Sequence, residues 1–339
     1  MESLFLPCIK KKIKAAEQKS DLVFTHTTSF EAVKSIIENS ELWMTNIPDF
    51  SDKQEIRYGK EIVDNLLSSD LGTWLNECVG NIGLTSSFVE YYWECAGKAG
   101  TDTEKFLYDQ SFAFCLRENT SDNIEYMWNN YSKNPNGVGC MMVFDAHYLC
   151  GMFRDKGSID DAMFLLAPMI YFDINNDIKK LNNEIMILKK MINNLRDIGN
   201  YNVVQIQVVL ALISMIELLK RKQSSKEAFY KEKEWRIIYT PILYDPFKLC
   251  PTYNKERYYR KNYPSDGNKE NARLIYDYDK NVYKLKLGRW EGERNCDWSK
   301  MLRCIYIGPG SEKMRKKTFN EIKETLAAVN ASDVEIKMS

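Results

Sequence analysis

The sequence predicts an α+β fold with one large domain. Three observations carry this. Short apolar runs and helix-period runs are interleaved irregularly, without the strict strand–helix alternation of a doubly wound sheet. At 339 residues, with 44% hydrophobic and 28% charged, the chain has ordinary globular composition and enough length for a sizeable core. A long helix-period stretch, about residues 174–222, interrupts the strands and reads as an inserted helical hairpin.

In order, residues 1–20 form a short basic lead-in, probed by no signal-peptide pattern, and 21–339 form the single domain. Leu22–Ser29 (LVFTHTTS) reads as a strand ending in hydroxyl residues. Ser29 is suited to cap the next helix, with Glu31 in its first turn where the helix dipole favours an acid. That helix carries Phe30, Val33, Ile36 and Ile37 at helical spacing. Leu42–Asn46 reads as a strand, Asp49–Lys53 as a loop, and Gln54–Ser68 as a helix with Ile56, Ile62, Val63, Leu66 and Leu67 inward. Leu71–Glu94 is ambiguous, with a strand-like NIGLTSSF. Phe112–Leu116 is a strand, Asn123–Tyr131 a short helix, and Pro135-Asn136-Gly137 a turn. Val138–Phe144 is a buried strand and Met169–Phe172 a further strand.

Ile174–Lys222 reads as two helices broken at Ile198–Asn200. The second, Val203–Lys222, is borderline in length for a membrane span. Gln205, Gln207, Ser214 and Glu217 interrupt it, which favours a buried helix or a pairing surface for a second copy or a partner protein. Pro241–Asp279 reads as loop. Val282–Leu287 and Met301–Gly308 are strands, Ser311–Ala328 a helix and Asp333–Met338 a last strand.

Composition narrows the function. Lys+Arg and Asp+Glu both total 47, so a globally basic nucleic-acid-binding surface is disfavoured. Nine cysteines without a CxxC pair, and only two histidines, argue against a zinc site and for free thiols in a reducing cytoplasm. GxGxxG, the Walker-type phosphate loop and GxSxG are all absent from the sequence.

The concentration of charge lies in Lys226–Tyr239 (KEAFYKEKEWRIIY). As a strand, it puts Glu232, Glu234 and Arg236 on one face and Lys231, Lys233, Trp235 and Ile237 on the other. A solvated edge strand would look the same. Other candidates are His26, at the end of the first strand among threonines, and Arg57, which could face a phosphate. The Asp49, Asp52 and Glu55 loop suits either a helix start or, with Glu234, a metal-dependent nuclease. His147 reads as structural.

The segments LWMTNIPDFSDKQEI, MWNNYSKNPNGVGCMMVFD and KEAFYKEKEWRII, in that order, resemble the signature of a bacterial domain-of-unknown-function family numbered twenty-nine seventy-one. Its loop Asn is Ser51 here. The opening, a strand ending in His-x-Thr, a helix with Ile36-Ile37 and then a leucine–aromatic–Met–Thr strand, is similar to that of ADP-ribosyltransferases. Glu232-Lys233-Glu234 is similar to their late Glu-x-Glu strand.

That second resemblance implies a split β-sheet core and an NAD-consuming ADP-ribosyltransferase or NAD glycohydrolase, acting as a toxin or antiphage effector. NAD would be the substrate, with no metal. The acceptor could be a protein, a nucleic acid or a nucleotide. Glu234 would stabilise the oxocarbenium-like transition state and Glu232 would orient or deprotonate the nucleophile. His26 and Thr27 would hold the nicotinamide ribose, Tyr131 would stack on nicotinamide, and Arg57 or Arg236 would neutralise phosphate. The alternative is a non-enzymatic sensor or interaction module of a defence system.

Overall fold

The computed structural model describes residues 12–16, 18–19, 21–50, 55–79, 87, 89–90, 92–93, 111–118, 124–131, 138–149, 164–173, 219–221, 229–239, 274–277, 279–280, 282–287 and 296–339, with scattered helical positions between 185 and 218. Its centre is a mostly antiparallel sheet. Strand β1 is Val23–Ser29, β2 Glu41–Asn46, β3 Phe112–Glu118, β4 Gly139–Asp145 and β5 Phe164–Pro168. Two short strands, β6 (Ile170–Phe172) and β7 (Leu219–Arg221), pair in parallel apart from it. Strand β8 is Glu234–Tyr239, β9 Leu274–Asp277, β10 Val282–Lys286, β11 Leu302–Ile307 and β12 Glu335–Met338. The main order is β12-β11-β4-β1-β3-β2-β10-β9, with β8 pairing β3 and β5 pairing β8. Of these pairings, only β11 with β12 is parallel.

The sheet forks at β3. One edge of β3 pairs β8 along its whole length, from Phe112↔Tyr239 to Arg117↔Glu234. Its other pairings are divided between two strands. Ala113 and Phe112 meet β2, while Arg117 and Glu118 meet β1. Between those contacts β1 leaves β3, and the His26 ring reaches across to the Cys115 carbonyl at 2.8 Å. A carbonyl only accepts, so Nδ1 carries the proton.

Helices cover both faces. Helix α1 (Phe30–Asn39) starts as read: Ser29 accepts from the Ala32 amide at 3.2 Å. Its Val33, Ile36 and Ile37 pack with Ile322 and Leu326 of α6 (Glu312–Ala328) in one core. That core also holds Phe24, Phe112, Phe114, Leu116, Trp235, Ile237 and Tyr239 from the sheet, and Trp298 of the short α5 (Trp298–Met301). On the opposite face lie α2 (Glu55–Leu67) and α3 (Asp70–Val79). They share a second core with Ala113, Ala167 and Ile238 of the sheet and with Val208, Leu212, Ile213, Met215 and Ile216. Helix α4 (Ile124–Tyr131) packs against β1, and its Trp128 ring lies so close to Gly308 that a Cβ there would sit 2.7 Å from it.

Three local readings change. The predicted helix through Lys222 stops at Leu218, because Leu219–Arg221 is held as a strand by β6. The helical hairpin is described only at scattered positions, and its predicted break at 198–200 lies outside the described residues. Of the positions seen, Ile192, Val208, Leu212, Ile213, Met215 and Ile216 are buried in this chain's own core, and Met186 is exposed. A close approach explains one glycine: a Cβ on Gly59 of α2 would lie 2.2 Å from the Ile216 carbonyl oxygen. The ambiguous Leu71–Glu94 stretch begins with α3, and Leu274–Asp277, read as loop, is β9 because β10 supplies its partner ladder. His147, read as structural, holds the Lys19 carbonyl at 2.8 Å. Cys115, Cys140, Cys296 and Cys304 are free thiols. Among the described residues, no helix is long and apolar enough to cross a membrane.

Candidate functional site

Strand β8 is where the two faces diverge most. Period two sends Trp235, Ile237 and Tyr239 into one apolar core, and Glu234 and Arg236 to the other side. Glu232 reaches that side by a different route from the one predicted. It ends a short 3-10 turn, Phe229–Glu232, and is followed by Lys233 in the left-handed region at φ 46. The kink turns the chain between the two glutamates while leaving both carboxyls buried.

The carboxyls meet one ammonium. Lys220 Nζ of β7 donates to Glu232 Oε2 and to Glu234 Oε2, each at 2.8 Å. Arg236 Nε donates to Glu234 Oε1 at 2.6 Å. Tyr131, at the end of α4, donates its hydroxyl to Glu232 Oε1 at 2.8 Å. The Glu234 amide donates to the Tyr171 hydroxyl of β6 at 2.9 Å. Arg117 of β3 stands directly across from Glu234 in the ladder, and its guanidinium feels the charge of Glu232.

All five ionisable residues, Arg117, Lys220, Glu232, Glu234 and Arg236, are at least nine-tenths buried. Tyr131 is 44% exposed, so the cluster comes to the surface beside that ring.

Burial and pairing split the two acids. Desolvation would raise Glu234, but Arg236 first and Lys220 second overcome it and hold the carboxyl down to about 2. Glu232 is raised: desolvation outweighs Lys220, and the negative charge of Glu234 adds to it. Desolvation, with the Glu232 charge second, also raises the Tyr131 hydroxyl, which keeps it a donor. Desolvation lowers Arg117, and Glu232 is the largest influence opposing it. One acid is therefore held ionised, and its neighbour's affinity for a proton is raised.

The predicted residues divide accordingly. Glu234, Glu232, Arg236 and Tyr131 come together. Thr27 lies on the same side of the sheet, two residues from Thr25, which is the ladder partner of Arg117. His26 does not join them. Alternation sends it to the other face, where it stacks on Phe114 at 4.2 Å and pairs with Met142 in the ladder, both part of the opposite core. Burial holds its pKa down to about 4, against the raising effect of the Cys115 carbonyl, so it is neutral at pH 7.

Arg57 is exposed on α2 and engages Glu61 at 3.2 Å, one turn along. Arg236 engages Glu234 through Nε and stacks over Phe50 at 5.1 Å. Asp52 and the Glu55 side chain lie outside the described residues. Among those described, no group of three or more His, Cys, Asp or Glu could hold a metal ion.

Lys220, Arg117 and Tyr171 were missed. Lys220 lies inside the predicted helix through Lys222, which in the structure ends at Leu218. Arg117 lies one residue beyond the strand as it was bounded, and a charged residue closing an apolar strand was the signal available. Tyr171 had none.

Fold and site together define an α+β protein with a buried charged centre on one face of a forked sheet. Residues 127–237 match the model of a family described as "Protein of unknown function (DUF2971)", which bears out the first resemblance over that span. The match runs from α4 into β8 and takes in Tyr131, Tyr171, Lys220, Glu232, Glu234 and Arg236. The ADP-ribosyltransferase resemblance finds no such support, since no curated protein and no solved structure matches the chain.

Proposed function

We propose that the chain is an NAD-consuming enzyme, an ADP-ribosyltransferase or NAD glycohydrolase, with Glu232 and Glu234 as its acid–base pair. The observation that carries the reading is the split between these two carboxyls on one lysine. Cleaving an N-ribosyl bond builds positive charge at the anomeric carbon, as glycoside cleavage does. A carboxylate that is always ionised stabilises that charge, and a neighbour with raised affinity for a proton handles the nucleophile.

In the proposed reaction the C1′–N bond breaks and its electron pair leaves with nicotinamide. An acceptor hydroxyl or water forms the new bond to C1′, and its proton passes to Glu232. Glu234 faces the developing cation. Tyr131 keeps Glu232 oriented, and its half-exposed ring offers a face for the nicotinamide. His26 has no part, because it lies across the sheet. The nuclease alternative loses support because both Glu234 oxygens already bind cations.

That same occupancy favours a second reading, a non-catalytic sensor in which the cluster only shapes a ligand site. Incubation with NAD separates the two. The enzyme reading expects nicotinamide release that Glu232→Gln lowers at least 100-fold, within the usual range for a general base. Because the base must be ionised, the wild-type rate should rise with pH through a midpoint above the ordinary glutamate value, and the variant should lose that limb. Expression of the wild-type chain in bacteria should deplete cellular NAD, as an effector would. No nicotinamide release from purified protein, with or without protein, nucleic-acid and nucleotide acceptors, would leave the sensor reading.

A further inference from the structure

The fork in the sheet opens beside the charged cluster, and two side chains there are spent on nothing inside the protein. Thr25 and Thr27 of β1 are 1% and 9% exposed, and the hydroxyl oxygen of each is buried without a hydrogen-bond partner. A buried hydroxyl left unmatched costs about 1–3 kcal/mol. Valine would serve a strand as well or better at both positions. The hydroxyls therefore ask for a partner from outside the chain.

Their neighbours say what kind. The ladder sets Thr25 beside Arg117 and Arg117 beside Glu234, so three strands present these side chains in a row on one face. Thr27 follows on the same face, next to the point where β1 parts from β3. Among the described residues, Arg117, Lys220 and Arg236 are buried together with Glu232 and Glu234. A proton on Glu232 would make the place more positive. Such a place favours an anion, and a planar guanidinium flanked by hydroxyls suits the several oxygens of a phosphate.

We infer that Thr25, Thr27 and Arg117 form an anion subsite beside the glutamate pair, and that it takes a phosphate group of the ribosyl substrate. This rests on the NAD-consuming reading for the identity of that substrate. It gives the phosphate role, predicted for Arg57 or Arg236, to a residue of β3.

The test is calorimetric titration of the full chain with ADP-ribose, inorganic pyrophosphate, inorganic phosphate and nicotinamide riboside. ADP-ribose should bind, pyrophosphate should compete with it, and nicotinamide riboside, which lacks phosphate, should bind at least tenfold more weakly. The double variant Thr25→Val/Thr27→Val should melt at the wild-type temperature or above, since it removes two unmatched hydroxyls, yet lose five- to tenfold in ADP-ribose affinity. Arg117→Lys keeps the charge and loses the fork, and should lose at least tenfold. If it fails to fold, the valine pair alone decides.

ADP-ribose affinity within twofold of wild type in the valine pair overturns the subsite, as does the absence of binding by ADP-ribose and pyrophosphate. Inorganic phosphate binding as tightly as ADP-ribose overturns the nucleotide assignment. The two proposals fail separately. Phosphate-dependent binding without nicotinamide release sinks the enzyme and spares the subsite. Equal turnover of NAD and nicotinamide riboside sinks the subsite and spares the enzyme.

Discussion

Strands β3 and β8 are adjacent, antiparallel and largely buried, yet their two faces follow opposite rules. On one, Phe112, Phe114, Leu116, Trp235, Ile237 and Tyr239 make a dry core with α1 and α6. On the other, Arg117, Glu234 and Arg236 stand in a row that Lys220, Glu232 and Tyr131 complete. The first face contributes stability through area removed from water. The second is expensive to bury: each ion loses hydration, and its pairs return little net stability over apolar side chains of similar size. On the same two strands, the charged face therefore adds far less stability for its burial than the apolar one.

Single truncations should cost both faces alike, and their rescue should differ. Trp235→Ala, which empties a large volume in the dry core, should cost about 3–5 kcal/mol. Glu234→Ala, which strands Arg236 and Lys220 in the interior, should cost about 3–5 kcal/mol as well. Replacing the five cluster ions together (Arg117→Met, Lys220→Met, Glu232→Leu, Glu234→Leu, Arg236→Met) should recover most of the loss, because the stranded charges go with their partners. Urea denaturation measures all three. A cluster replacement as unstable as Glu234→Ala would mean the charges hold the fold together, and the contrast between the faces would collapse.

A smaller effect comes from His26, the polar residue that fell on the dry face. Its folded pKa of about 4 lies below the ordinary 6.5, so the unfolded chain binds the proton more readily. This contribution to stability is whole above about pH 6.5, declines as pH falls towards about 4, and amounts to no more than about 3 kcal/mol. His26→Phe should flatten that part of the urea-midpoint profile and leave nicotinamide release intact. Loss of release with stability preserved would put His26 back in the site.

The smallest concerns the kink that brings the glutamates together. Lys233 holds a φ of 46 and an exposed side chain. Lys233→Gly removes the penalty of a side chain in the left-handed region, of order 1 kcal/mol, against the entropy that glycine restores to the unfolded chain. Its melting temperature should stay within a few degrees of wild type. A large fall would mean the lysine side chain itself braces the turn.

Much of this was legible in the sequence where the signal was local. Ser29 capped the helix it preceded, and Val33, Ile36 and Ile37 turned inward. Alternation along Glu234-Trp235-Arg236-Ile237 sorted the faces of β8 correctly. The same alternation, applied to Phe24-Thr25-His26-Thr27, already separates His26 from Thr27. The two therefore cannot flank one ribose, because neighbouring residues of a strand point to opposite faces. Glu232 was given the right side for the wrong reason, since a turn and a left-handed residue do not show in a run of alternating charge. Lys220, Arg117 and Tyr171 are joined to the glutamates only through tertiary structure. Lys220 in particular needed the strand β7, three residues long and held by a partner some fifty positions earlier.

The forked strand has a consequence for how the chain is made. Strand β3 and its partner β8 are separated by more than a hundred residues, as the ladder from Phe112↔Tyr239 to Arg117↔Glu234 shows. At roughly ten residues per second of synthesis, β3 waits on the order of ten seconds for the strand that supplies both glutamate and arginine. Closing a loop of that length costs little more than closing one half as long, so the delay is one of order rather than of energy. Until then Arg117 stays hydrated and the acids do not exist. The charged centre therefore cannot assemble before β8 is made, and a chain that ends short of β8 lacks it.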